Sequence, residues 1–221
     1  GEEVSAAFRI EEKLDKDSFL IFSTRKGILK KSKLELYQTI RQKGLIAIRL
    51  GDKDELISVR VCQKEDQIIL VSKNGYSILT SVDGVRAMGR NARGVRGMNL
   101  GRGDEVVSMD IVEDHRTLLI VSELGYGKRT PISQYTEQKR GGKGVYTYKV
   151  TEKTGPVVSA KIVQANDEIM MISVSGDVIR ISAGSISSMG KRTSGVKLKD
   201  MKDKDDRIAA VAKYVENVED L

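Results

Sequence analysis

Residues 138–144 combine three cations with three glycines in seven positions, as Gln138-Lys139-Arg140-Gly141-Gly142-Lys143-Gly144. Glycine lets a backbone approach a ligand closely and present consecutive N–H groups to an anion. Lysine supplies a point charge for phosphate, and arginine supplies a planar fork that donates two hydrogen bonds. This segment therefore predicts contact with phosphate groups.

Cations recur beside a glycine at three further places. The glycines are Gly44, Gly94, Gly144 and Gly195, which lie 50, 50 and 51 residues apart. We call these segments basic loops 1 to 4, and their cations are Arg41 and Lys43; Arg90, Arg93 and Arg96; Lys139, Arg140 and Lys143; Lys191 and Arg192. If a repeated fold places the loops on one side, their charges add into a curved stripe. Such a stripe suits the backbone of duplex DNA, with little readout of bases.

A second basic position lies a few residues after a different recurrent glycine. Its members are Lys30, Lys31, Lys128, Arg129 and Arg180. These cations could widen the stripe, or they could keep a sheet edge from pairing with another chain. The basic loops have an alternative interpretation too, because exposed charged turns are common on protein surfaces.

The elements that must position these loops form a repeat of about fifty residues. Short apolar runs that end in a glycine occupy residues 19–27, 67–75, 117–125 and 168–176, with Ser or Thr three residues before each glycine. Such runs predict buried strands. Asn74-Gly75 predicts a two-residue type I′ hairpin turn, which needs positive φ at both positions. A return strand follows each turn, then the basic loop and two more strands, such as residues 95–100 and 106–111.

Four strands per repeat predict an all-β fold of the β-propeller or β-pinwheel type. We expect one repeat domain over residues 1–221. Its expected parts are a last strand of an incomplete preceding blade with its link at 1–18, repeats at 19–65, 66–115, 116–166 and 167–214, and an acidic tail at 215–221. An open β-solenoid is the structural alternative, although its repeats are usually shorter.

Composition narrows the function classes. Lys plus Arg number 38 against 31 Asp plus Glu, and this net charge of +7 favours an acidic partner. No run of 18 apolar residues predicts a membrane span, and the single cysteine fits a reducing cytoplasm. With one histidine and neither a P-loop nor a zinc pattern, we predict no catalytic residue, metal ligand or cofactor in this chain.

The motif at 138–144 resembles a box found in the C-terminal domain of the DNA gyrase A subunit, whose pattern is Gln, two basic residues, then Gly-Gly-Lys-Gly. Supporting similarities lie at residues 44–50, 88–97 and 125–131, so the resemblance covers essentially the whole chain. It implies a six-bladed β-pinwheel that exchanges strands between neighbouring blades. It also implies that duplex DNA wraps around basic residues, with residues 138–144 and the other loop cations, together with Lys128 and Arg129, as the DNA-binding set.

Membership of this family implies an ATP-dependent type II topoisomerase whose catalytic groups lie elsewhere. ATP and Mg²⁺ would then belong to an A2B2 holoenzyme formed with the B subunit, together with the rest of the A subunit. We expect a cytoplasmic, nucleoid-associated protein without membrane contact. The family's box usually lies in the first blade, whereas the copy here lies in the third of four complete repeats; a box-like copy in the penultimate blade also occurs in the family. Together with the expected last strand of an incomplete blade at 1–18, this predicts that about two preceding blades are absent.

Two alternatives remain open from the sequence. The C-terminal domain of the topoisomerase IV A subunit has a related fold with a variable blade number and usually a degenerate box. A propeller that docks an acidic protein on its cations is the second. The tail at 215–221 is either a frayed terminus or, as the resemblance implies, a modulator of DNA wrapping.

Overall fold

The computed structural model describes residues 18–37, 45–201, 203 and 205–214. Within them the chain is all-β, as predicted, and the only helices are short 3-10 turns at Leu34–Tyr37, Ile132–Gln134 and Ala183–Ser185. The strands are β1 (Phe19–Thr24), β2 (Ile28–Lys33), β3 (Leu56–Cys62), β4 (Gln67–Ser72), β5 (Tyr76–Ser81), β6 (Val95–Arg96), β7 (Val106–Val112), β8 (Thr117–Ser122), β9 (Tyr126–Pro131), β10 (Val145–Tyr146), β11 (Val157–Val163), β12 (Glu168–Ser173), β13 (Val178–Ser182), β14 (Val196–Lys197) and β15 (Ile208–Tyr214).

Each repeat forms the centre of one antiparallel sheet. The apolar run and its return strand pair as a hairpin, and the last strand of the same repeat pairs with the other edge of the apolar strand. The sheet orders are β3-β1-β2-β6, β10-β5-β4-β7, β11-β8-β9-β14 and β13-β12-β15. The apolar strands lie in the middle of their sheets, which explains why β1, β4 and β8 are buried along almost their whole length. In β12 buried and partly buried residues alternate.

The short strand after each basic loop joins the sheet of the preceding repeat. Strand β6 pairs with β2, and β14 pairs with β9. This exchange of strands confirms the pinwheel arrangement that the resemblance implied. The exchanged strands are shorter than the sequence predicted, because the N–H groups of Gly97 and Met98 both turn to the carbonyl of Gly27 and end β6 after Arg96.

The hairpin turns differ from the predicted type. Gly75 has φ of +82°, but Asn74 does not have positive φ, so the type I′ prediction at Asn74-Gly75 is wrong. In three of the turns the glycine N–H donates to the carbonyl three residues earlier, at 2.9–3.1 Å, for Gly27, Gly125 and Gly176. This pattern is typical of a three-residue loop in which one glycine adopts the left-handed conformation. The preceding residue is then free to vary, as it does between repeats.

The described residues group into two compact units, each with its own core. The first unit contains the first two sheets apart from Tyr146, and fully buried Ile21, Leu29, Ile68 and Ile78 belong to one of its clusters. The second unit contains the third and fourth sheets. The fully buried members of its cluster are Leu119, Val121, Val163, Ile169, Met171 and Ala183. Each large aliphatic side chain contributes roughly 1.5–3 kcal/mol on burial. No helix within these units has the length and hydropathy needed to cross a bilayer.

Cys62 is a buried packing residue and not a reactive thiol. Its side chain belongs to the first unit's core, and burial, followed by the nearby Asp66 carboxylate, raises its pKa to about 12. We therefore expect no alkylation of the folded chain by iodoacetamide at about pH 8, since the thiolate is the reactive form. Mass spectrometry should show full alkylation in concentrated urea. Rapid modification without denaturant would contradict this placement.

Candidate nucleic-acid interface

Basic loops 2 to 4 each end in a glycine that no other residue can replace without strain, and Arg96, counted with the cations of loop 2, follows that glycine in strand β6. These glycines have positive φ: Gly94 at +106°, Gly144 at +79° and Gly195 at +78°. A Cβ atom at each would lie less than 3.0 Å from a carbonyl oxygen of the preceding hairpin, at Leu29, Ser77 and Gly127 respectively. Real Cβ atoms essentially never approach so closely. Glycine is therefore required at these positions both by the positive φ and by the close carbonyl oxygen.

A backbone hydrogen bond holds the start of each of these loops. The donor is the residue six positions before the terminal glycine, and the acceptor is a return-strand carbonyl. The pairs are Met88 to Lys31, Gln138 to Leu79 and Met189 to Arg129, each at 2.8 Å. Fixed at both ends, each loop presents its side chains from a defined backbone.

Basic loop 3 has further internal restraints. The Gly141 N–H donates to the carbonyl of Gly97 at 2.6 Å, and the Asn99 N–H donates to the carbonyl of Gly142 at 2.8 Å. Arg140 donates from Nε to the Gly84 carbonyl at 2.8 Å and from Nη1 to the Arg96 carbonyl at 3.1 Å. Two of the donors of Arg140 therefore support the loop.

Six of the predicted cations of basic loops 2 to 4 are exposed, namely Arg93, Arg96, Lys139, Arg140, Lys143 and Arg192. Within the described part of the chain, none of these side chains except Arg140 forms an ion pair or a hydrogen bond. The Lys143 ammonium lies 5.1 Å from the centre of the Tyr76 ring, which limits its freedom without neutralising it. These side chains are available to phosphate oxygens.

Other predicted cations bind the protein's own backbone. Lys128 is fully buried, and its Nζ donates to the carbonyls of Gly190 and Lys191 at 2.5 and 2.7 Å. Burial lowers the pKa of Lys128 to about 8. It has no exposed surface to offer a phosphate, and its ammonium supports the backbone of basic loop 4 instead.

Arg129, Lys191 and Arg90 are intermediate cases. Arg129 donates to the carbonyls of Ile186 and Gly184 at 2.9 and 3.1 Å. The Lys191 ammonium donates to the carbonyl of Gln134 at 2.7 Å, and the Arg90 side chain is half-buried. All three residues are partly exposed.

Some predicted features lie outside the described residues. They are basic loop 1 with Arg41, Lys43 and Gly44, the expected leading strand within residues 1–17, and the tail at 215–221. The single continuous stripe of charge also stays a prediction.

Sequence reasoning missed Lys197, and it named Lys30 as a cation that could widen the stripe without indicating that Lys30 is buried. Lys197 is the exposed second residue of β14, in register with Arg96 of β6, so the repeat alignment contained a signal for it. Lys30 is fully buried beneath basic loop 2, and no pattern in the sequence indicated that its ammonium points inward. Among the described residues, no group of three or more His, Cys, Asp or Glu is placed to hold a metal ion.

Strand-exchanged sheets and fixed cationic loops define the class as a β-pinwheel repeat protein. The family model for the DNA gyrase C-terminal domain, a β-propeller, matches residues 18–63, 66–113, 116–164 and 167–213. The chain therefore belongs to the DNA gyrase C-terminal domain family.

Curated relatives and solved structures agree with this assignment. The DNA gyrase A protein of Clostridium acetobutylicum is 50% identical over 213 residues, which is 96% of this chain and 25% of that protein. The corresponding protein of Mycolicibacterium smegmatis is 38% identical over 86% of this chain and 23% of its own length. This chain thus spans about a quarter of the length of the curated relatives it matches.

A solved DNA gyrase A C-terminal domain superposes with a TM-score of 0.84 at 33% identity, covering 93% of this chain and 68% of that one. The C-terminal domain of a DNA topoisomerase IV also superposes with a TM-score of 0.84. Its identity is 24%, over 92% of this chain and 63% of its own, and it shows a shared fold only.

Proposed function

We propose that this chain binds and wraps duplex DNA as the C-terminal domain of a DNA gyrase A subunit. By holding duplex DNA in a wrapped path, the chain would allow the holoenzyme to introduce negative supercoils. The observation that carries the proposal is the set of exposed cations on loops 2 to 4, where the backbone is fixed and Arg93, Lys139 and Arg192 have no acidic partner among the described residues. Fixed cations without base-reading elements favour phosphate contacts over sequence recognition.

On this proposal the chain itself is not catalytic. ATP and Mg²⁺ would be bound by other parts of an A2B2 holoenzyme, and the chain would act in the cytoplasm beside the nucleoid. The family membership supports gyrase over topoisomerase IV, because the curated relatives named above are gyrase A proteins and the topoisomerase IV similarity concerns the fold.

DNA binding should depend steeply on salt. If six to ten cations contact phosphate, the affinity should fall by about 10³ to 10⁵ between about 50 and 200 mM salt, because bound counterions are released on association. Fluorescence anisotropy with labelled duplexes of two unrelated sequences measures this, and the two curves should nearly coincide. Binding that is insensitive to salt would contradict the proposal.

Wrapping is a separate expectation. Nicked plasmid ligated in the presence of the chain should yield a shifted distribution of linking number. The reason is that ligation fixes the writhe of the wrapped DNA as a lasting change in linking number. Topoisomers that match the protein-free ligation would contradict wrapping by this chain. A propeller that docks an acidic protein predicts the reverse pattern, namely complexes that survive nuclease treatment and no topoisomer shift.

A further inference from the structure

The repeats differ at the third residue after the turn glycine. This position is Lys30 in the first repeat and Lys128 in the third, but it is Ile78 in the second and Ile179 in the fourth. Both lysines have no exposed surface, and each lies beneath the basic loop that follows in the next repeat. The same fold position thus accepts either an apolar side chain or a buried ammonium.

Lys30 holds basic loop 2 within the first unit. Its ammonium donates to the carbonyl of Arg90 in the loop and to the carbonyl of Ala47 at 2.5 Å. The Phe22 ring lies 5.4 Å from the ammonium, and the Tyr37 hydroxyl donates to the same Ala47 carbonyl at 3.1 Å. These contacts tie the backbone of the loop to the sheet beneath it.

Lys128 makes the equivalent contacts within the second unit. Its ammonium donates to the carbonyls of Gly190 and Lys191, which are adjacent residues at the start of basic loop 4. The Tyr148 ring lies 5.9 Å away. In both units, therefore, the buried lysine binds the carbonyl of the loop's first cationic residue.

Basic loop 3 is supported differently, and the difference is informative. Beneath it lies Ile78, whose Cδ1 atom is 3.7 Å from the position of a Cβ on Gly142. Its first arginine, Arg140, supplies the hydrogen bonds to carbonyls instead. Each described loop therefore has one cation that fixes its backbone. In loop 3 this cation is Arg140, a residue of the loop itself, whereas in loops 2 and 4 it is a buried lysine of the sheet beneath the loop.

A buried ammonium disfavours folding relative to an apolar side chain. Burial, followed for Lys30 by repulsion from Arg90, lowers the pKa of both lysines to about 8 from the ordinary 10.5. Because isoleucine serves at the same position in two sibling repeats, the fold does not require lysine there. A benefit other than stability is indicated.

We propose that Lys30 and Lys128 are positioning residues for DNA binding, which fix basic loops 2 and 4 and place a cation beneath each. This inference rests on the proposed function. The ammonium holds the loop carbonyls inward, so that Arg93 and Arg192 project outward, and its charge adds to the attraction for phosphate.

The test replaces both lysines by methionine, which keeps the length of the apolar stem and removes the ammonium. Lys30→Ile and Lys128→Ile form a second variant that the sibling repeats show to be compatible with the fold. Ile78→Met is the matched control, because it makes a similar change beneath loop 3 without loss of charge. All variants are compared with the parent 221-residue chain.

Hydrogen exchange without DNA tests the positioning itself. The amides of residues 90–94 and 191–195 should exchange faster in the lysine variants, whereas those of residues 139–144 should not change. Unchanged exchange in both loops overturns the inference, whether or not the parent binds DNA. A parent that binds no DNA overturns the proposed function alone.

DNA affinity and stability should move in opposite directions, which a merely structural lysine would not produce. At about pH 7 we expect the double methionine variant to bind a labelled duplex at least about fivefold more weakly, since loops 2 and 4 lose the support of the ammonium groups and the positive charges beneath them. Its melting temperature should equal or exceed that of the parent. Equal affinity in variant and parent overturns the inference.

The pH profile gives an independent readout. Below a pH of about 8 both lysines are charged, so the parent's extra affinity should be present at about pH 7 and decline as the pH rises through about 8. The charged group that faces Lys30 is the Arg90 guanidinium. The facing phenols, Tyr37 and Tyr148, do not titrate near pH 8, because burial raises the pKa of each. Conversely, parent stability should rise between about 8 and 10.5 relative to the variants, because the unfolded chain binds more protons there. A constant affinity ratio across this range overturns the inference.

Discussion

Alanine at Arg93, Lys139, Lys143 and Arg192 together is expected to weaken duplex binding by roughly 10³-fold at about 0.1 M salt. Each phosphate contact contributes a slope of about −0.9 to the plot of log affinity against log salt. Each contact therefore raises the affinity nearly tenfold when the salt concentration falls from about 1 M to about 0.1 M. The four side chains are exposed, and none supports the fold through a hydrogen bond in the described residues. We therefore expect the slope to fall by about 3.6 while the melting temperature stays unchanged.

The matched control removes four exposed cations from outside the basic loops, at Lys33, Lys64, Arg102 and Lys153. It changes the net charge by the same amount, so it separates general charge from contacts at the loops. We expect less than about a tenfold loss for the control, because exposed charges that make no phosphate contact act on the DNA only through a field that salt screens. Equal losses in the two variants would contradict a specific role for the loops.

Gly144→Ala is expected to lower the free energy of unfolding by about 3 kcal/mol. The alanine would have to adopt φ of +79°, and its Cβ would meet the carbonyl oxygen of Ser77 at less than 3.0 Å. Relieving that clash moves loop 3 away from β5, so strand β10 loses its place at the edge of the second sheet. Thermal unfolding should show a decrease of about 6–12 °C in melting temperature.

Gly142→Ala is the control for this substitution within the same loop. Gly142 does not have positive φ, and the nearest atom to an added Cβ, Ile78 Cδ1, is at an ordinary contact distance of 3.7 Å. We expect a change within about 0.5 kcal/mol. If Gly144→Ala and Gly142→Ala destabilise the chain equally, a steric clash of the Cβ atom does not explain why glycine occupies position 144.

Local signals were sufficient to predict the fold class. Residues 19–24, 67–72, 117–122 and 168–173 are apolar enough to require burial and too short before a glycine to be helices, and all four are central strands. The glycine at the end of each described basic loop was also predicted, because its spacing repeats. The turn type at Asn74-Gly75 was not, because one left-handed glycine satisfies the hairpin and the neighbouring residue carries little information.

The exchange of strands could not be derived from periodicity alone. A strand of two residues such as Val95–Arg96 is too short to show an alternation of apolar and polar residues. It pairs with β2 because that strand has an unpaired edge in the sheet of the preceding repeat. Here the resemblance to a known family supplied the expectation, and the sheet orders confirmed it.

By itself the sequence determined where cations cluster and that they recur in register, because composition and spacing are properties of the chain. Only the tertiary structure decided which of them face outward. Lys128 and Lys139 are both lysines in predicted basic positions, yet one is fully buried on two carbonyls and the other is exposed. The physical reason is that a long side chain on a sheet can turn to either surface. The side chain turns inward where carbonyl oxygens of a loop distant in sequence can accept hydrogen bonds from its ammonium, as those of Gly190 and Lys191 do for Lys128.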